Sequence, residues 1–146
     1  MAFEGDYLEG KRNGKGKEYI NGKLLFEGEY LNGERNGKGK EYKNGYLEFE
    51  GEYLNGKKWN GKGYNVNTNI IYELINGNGK IKEYNDDGEL EFEGEYLNGK
   101  RNGKGKEYKY GELIFEGEYL NNKKWNGNGY DGKANIVYEL YIYKIK

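Results

Sequence analysis

A 23-residue period constrains this chain more than any other feature. Phe-x-Gly-x-Tyr followed by Gly-x-Gly stands unbroken in "FEGEYLNGKRNGKGKEY" at 92–108, and with small changes at 3–19 and 26–42. Phe3, Phe26 and Phe49 are spaced 23 residues apart, as are Phe92 and Phe115. Between Phe49 and Phe92 lies a degenerate unit, "IIYELINGNGKIKEYNDDGELE", and the chain ends on a related fragment, "NIVYELYIYKIK". Repetition of this kind signals stacked supersecondary units. The expected organisation is one domain over 1–146 with six units, at about 3–25, 26–48, 49–70, 71–91, 92–114 and 115–146.

Each unit holds two alternating segments bounded by Asn-Gly or similar turns, the pattern of a β-hairpin. Strand side chains alternate, so Phe26, Gly28 and Tyr30 share one face and Glu27 and Glu29 the other. A four-residue loop, 32–35, sets Tyr30 against Gly37, Gly28 against Gly39, Glu29 against Lys38 and Glu27 against Lys40. A plain two-residue turn at Asn44-Gly45 would throw Phe49 onto the wrong face. A three-residue loop, 44–46, is therefore expected; it sets Phe49 against Glu41, Gly51 against Gly39 and Tyr53 against Gly37. On this reading every second strand is reduced to glycine so that rings from its neighbours lie over its backbone. Ring burial then compensates the entropic cost of strand glycine. The Glu/Lys face becomes the solvated wall. The fold class is all-β, an elongated single-layer antiparallel meander, twisted and grooved, in which each unit touches only its neighbours.

Composition agrees. Only 34% of the chain is hydrophobic, but 16% is Phe, Trp or Tyr, and 24 basic residues nearly cancel 25 acidic ones. Disordered chains usually carry high net charge and few aromatics, so order with a thin, ring-rich core is expected. A net charge of −1 gives no bulk attraction to phosphate, and no basic cluster of lipid-binding type occurs. Nucleic acid is not an expected partner, and direct membrane binding should be weak or absent. Without cysteine or an apolar leader the expected address is cytoplasmic.

The pattern resembles the MORN repeat (membrane occupation and recognition nexus), carried here by Phe26, Gly28, Tyr30, Gly33, Gly37 and Gly39 and their equivalents around Phe3, Phe49, Phe92 and Phe115. Departures are Phe in the first aromatic place, Asn36 where His is common, and the degenerate stretch near 66–90. The resemblance implies an antiparallel meander that serves as a scaffold or interaction module; some family members are attached to lipid kinases or junctional membrane proteins.

Chemistry is mostly excluded. The chain has no His and no Cys. It also has no Ser, and Thr68 is its only Thr. Nucleophilic triads and His-ligated zinc are impossible. Glu is plentiful, but it recurs with the repeat and has Lys partners in the register above, unlike a singular active site. "NGKGK" lacks the helix and the Gly-Lys-Ser/Thr ending of a phosphate loop, and "NDDGE" at 85–89 reads as a turn. No catalytic residue, metal or cofactor is expected. The protein is expected to be a non-enzymatic module that binds a protein partner or itself. A choline- or glycan-binding aromatic repeat, or a regulatory fragment of a larger enzyme, are the alternatives.

Candidate contact residues are the groove rings Phe26, Tyr30, Phe49, Tyr53, Phe92, Tyr96, Phe115 and Tyr119, which otherwise simply fill a core. Trp59 and Trp125, in "KKWNG" where other units have "KRNG", read as lying in lengthened loops. There they either contact a partner or cover a strand end. The apolar C-terminal stretch offers Tyr138, Leu140 and Ile142 as an edge or a cap. An intramolecular cap over the last ring groove is favoured over edge pairing, with Lys144 and Lys146 guarding against open-ended growth.

Overall fold

The computed structural model describes residues 1–85 and 87–142. All regular structure among them is antiparallel strand: β1 Ala2–Leu8, β2 Lys11–Ile20, β3 Lys23–Leu31, β4 Glu34–Lys43, β5 Tyr46–Leu54, β6 Lys57–Tyr64, β7 Ile70–Leu74, β8 Gly79–Tyr84, β9 Leu90–Leu97, β10 Lys100–Lys109, β11 Glu112–Leu120, β12 Lys123–Tyr130 and β13 Ile136–Tyr141. The chain divides into two compact units, Met1–Gly77 and Asn78–Lys146. In the first, β1 to β7 form one open sheet in sequence order; in the second, β8 to β13 do the same. The all-β hairpin meander expected from the repeat is what forms.

The inner register matches the sequence reading. Glu27 pairs with Lys40, and Gly28 with Gly39. Phe49 pairs with Glu41, Gly51 with Gly39 and Tyr53 with Gly37. The turns do not match. At both 32–33 and 44–45 the loop is a two-residue turn with positive φ at each position (Asn32 51°, Gly33 90°; Asn44 48°, Gly45 84°). This is the mirror-type turn whose twist suits a hairpin. Parity is restored inside the strands instead. Between the Gly28–Gly39 and Tyr30–Arg35 pairs, Glu29 stands against three residues, 36 to 38. Between Phe49–Glu41 and Leu47–Tyr42, β5 carries one extra residue, Glu48. Two corrections follow for the β3–β4 pair: Tyr30 faces Arg35 rather than Gly37, and Glu29, which pairs with Lys15 of β2, does not pair with Lys38 of β4. Its carboxylate instead accepts the Lys38 backbone N–H at 2.6 Å. Bulges, not loop lengths, make the odd period work.

The core of each unit is the ring face. Phe26, Phe49, Phe92 and Phe115 are fully enclosed. Their rings meet neighbouring tyrosines edge to face, as in Phe26–Tyr53 at 5.1 Å and Phe92–Tyr119 at 5.3 Å, the geometry that aromatic quadrupoles favour. A longer correspondence also emerges. Residues 49–76 and 115–142 follow one pattern at an offset of 66, with Trp59 matching Trp125, Tyr72 matching Tyr138 and "IIYEL" matching "IVYEL". Their registers agree: Leu74 pairs with Gly61 as Leu140 pairs with Gly127.

Candidate functional site

On the ring face the cation of each glycine strand lies over the ring of the preceding strand. Arg12 sits 4.3 Å from the Phe3 centroid, Arg35 4.1 Å from Phe26 and Lys58 5.0 Å from Phe49. Arg101 and Lys124 repeat this over Phe92 and Phe115, at 4.0 and 4.6 Å. Carboxylates then link these cations to the tyrosines. Glu18 is 5% exposed and accepts from Tyr30 Oη at 2.5 Å and from Arg35 Nε at 3.1 Å. Arg35 Nη1 donates onward to Glu41 at 3.0 Å, which also accepts from Tyr53 Oη at 2.9 Å and pairs with Lys58 at 3.2 Å. In the second unit Glu83, Tyr96, Arg101, Glu107, Tyr119 and Lys124 repeat the chain of contacts.

The sequence reading passes over these arginines because it puts Arg35 in a loop. The signal was present: Arg12, Arg35 and Arg101 each stand two residues after a turn glycine, with Lys58 two after Gly56 and Lys124 two after Asn122.

Burial raises the carboxyls of Glu18 and Glu41. Hydrogen bonds from Arg35 and Tyr30 outweigh it at Glu18, and the charges of Lys58 and Arg35 with the Tyr53 hydrogen bond outweigh it at Glu41, leaving both below the usual 4.5. A folded-state value below the unfolded one adds stability that is complete above the unfolded pKa and is lost as pH falls through the folded one. Glu48 is opposite in sign, raised by burial and by neighbouring Glu41 against the pull of Lys58. Its place in the 66-residue correspondence is taken by Ile114. The urea midpoint should therefore fall on acidification below about pH 4.5. Glu48→Ile should raise it at neutral pH and steepen that fall. An unchanged acid limb in Glu48→Ile would contradict the assignment.

The predicted contact rings are accordingly closed. Phe26, Phe49, Phe92 and Phe115 have no exposed surface, Tyr30, Tyr53 and Tyr119 almost none, and Tyr96 is half-buried. Trp59 and Trp125 are not in lengthened loops. Each is the single extra residue of a bulge, in β6 and β12, where it replaces a longer bulge, and each is half-buried. The described part of the C-terminal segment does not fold back over the rings: Ile136–Tyr141 is the outermost strand β13, paired among the described residues with β12 alone. Tyr138 is 46% exposed where its counterpart Tyr72 is 8% exposed, and Leu140 is half-buried beside an exposed Ile142. Tyr143, Lys144 and Lys146 lie outside the described residues.

An open concavity lies on the other face of the first unit. A trough of about 720 Å³ crosses β1 to β5. Its floor is the row Gly5, Gly16, Gly28, Gly39 and Gly51, paired one to the next across the strands. Added side chains on this row would point away from the trough: a Cβ on Gly39 would lie 2.5 Å from the Phe26 ring. The trough walls are the Glu and Lys that flank each glycine, Lys15 and Lys17 on β2, Glu27 and Glu29 on β3, Lys38 and Lys40 on β4, Glu50 and Glu52 on β5. Lys17–Glu27 and Lys40–Glu50 pair at 4.0 and 3.3 Å with their side chains still about half-exposed. Among the described residues no group of His, Cys, Asp and Glu is placed to hold a metal ion.

No curated protein matches the chain. A family model for the MORN repeat matches it in three places, 3–23, 26–45 and 92–110. Those segments coincide with the hairpins β1–β2, β3–β4 and β9–β10, whose rings, glycines and turns have just been described. Three hairpins of the chain thus match the MORN repeat.

Proposed function

We propose that this protein is a non-enzymatic protein-binding module whose partner lies in the glycine-floored trough of the first unit. MORN repeats in general are protein- or membrane-interaction modules, and the trough supports the protein side of that description. It is the concave surface on which flanking side chains remain accessible, whereas the rings are covered by the chain's own arginines and lysines. That covering also argues against a choline or glycan site, because the ring faces a ligand cation would use already hold Arg12, Arg35 and Lys58. The trough is equally unsuited to an anionic membrane: each lysine strand lies between glutamate strands, so no single-sign field builds up.

The test is a photo-crosslinker at position 17, applied in lysate of the source cells, with and without Lys38→Glu/Lys40→Glu. The reading expects a protein adduct that is lost in the charge-reversed variant. An adduct unaffected by charge reversal would overturn it. So would near-complete sedimentation of the unmodified protein with anionic phosphoinositide vesicles at physiological salt.

A further inference from the structure

We infer that the trough reads an extended peptide of mixed charge in which like charges recur at every third residue; this rests on the trough being the partner site. Size favours an extended chain over a helix. The glycine row crosses five strands, a run of about 19 Å at the usual strand spacing. Spread over that length, 720 Å³ corresponds to a cross-section of about 38 Å². A helix with side chains, about 10 Å or more across, would need roughly twice that. An extended chain rises about 3.3 Å per residue, so about six residues span the trough.

Charge supplies the register. Both walls carry the same sign on any one strand: positive on β2, negative on β3, positive on β4 and negative on β5, with Glu4 making β1 negative. Bands of like sign are therefore two strand spacings apart, about 9.6 Å. Three residues of extended chain cover about 9.9 Å. A peptide of the form Lys-Glu-Gly-Lys-Glu-Gly-Lys lays its lysines over β1, β3 and β5 and its glutamates near β2 and β4. A peptide of the same composition in blocks meets like charge over half its length. The pairs already present across the walls are exposed and cost little to open. What the trough recognises is the order of charges, since its own charges nearly cancel.

Fluorescence anisotropy of labelled heptapeptides on the full chain tests this. At low salt the repeating peptide should bind at least about tenfold more tightly than the block peptide Lys-Lys-Lys-Gly-Gly-Glu-Glu, an advantage that several exposed pairs together supply. The preference should fade at high salt. Lys38→Glu/Lys40→Glu should abolish it, and changing the second peptide glutamate to lysine should restore binding to that variant. If the double variant loses its circular dichroism signature, Lys38→Gln/Lys40→Gln takes its place, with the same loss expected. Equal binding of the two peptides, or no rescue, overturns the inference. The partner-site reading fails separately, if the crosslinked adduct survives charge reversal or the unmodified protein sediments almost completely with anionic vesicles.

Discussion

Gly51→Ala is expected to destabilise the first unit by about 3 kcal/mol or more, at the upper end of overpacking costs. Its methyl group would lie 2.0 Å from the Asn60 carbonyl oxygen and 2.6 Å from the Gly61 Cα. Both are backbone atoms of the paired strand, so relief requires β5 and β6 to part. Gly39→Ala should cost less, about 1–3 kcal/mol, because the nearest atoms belong to the Phe26 and Tyr53 rings, at 2.5 and 3.1 Å. Lys40→Ala, on the trough wall, should stay within about 0.5 kcal/mol. Urea midpoints rank the three. Gly51→Ala at or above the midpoint of Lys40→Ala would show that the glycine row does not bring the backbones together.

Arg35→Ala should cost about 3 kcal/mol, the low end for breaking a buried ion pair. It removes the group stacked on Phe26 and takes one cation from each of Glu18 and Glu41. Arg35→Lys should recover only part of the loss, since an ammonium cannot span both carboxylates as the planar guanidinium does. The signature is pH dependence. Without Arg35 the carboxyls lose much of what holds them below 4.5, so the variant's stability should depend less steeply on acid than the wild type's. A parallel acid limb would mean that Arg35 acts through packing alone.

The sheet, its strand order and the face on which the rings lie were legible in the sequence, because period-2 alternation and Asn-Gly punctuation are local signals. The pairing of Gly28 with Gly39 and of Phe49 with Glu41 followed from charge and ring complementarity. What failed was the device that keeps the faces aligned. A bulge at Glu48 or across 36–38 leaves no local mark, since the added residues are as polar as a loop. Misplacing them put Arg35 in the wrong environment and hid the network it organises. Trp59 was misread for the same reason: an apparent insertion in a linear alignment is a shorter bulge in space. The trough was harder still, because glycine read as room for rings on one side says nothing of the concavity on the other.

One margin of each sheet is also stitched. The Gly33 amide donates to the Arg12 carbonyl and the Gly56 amide to that of Arg35, both at 2.9 Å, and Asn122 does the same to Arg101. Each of these bonds passes over an intervening strand. Side chains add to the seam, as Asn36 Oδ1 accepts from the Asn55 amide at 3.1 Å. The opposite turn at 21–22 makes no such backbone bond among the described residues. Turn amides normally exchange with solvent within moments, yet those of Gly33 and Gly56 should be protected as long as the strands beside them, while that of Gly22 exchanges freely. Local opening should then start at the unstitched margin and run across each sheet in one direction, like pages turning about a bound spine.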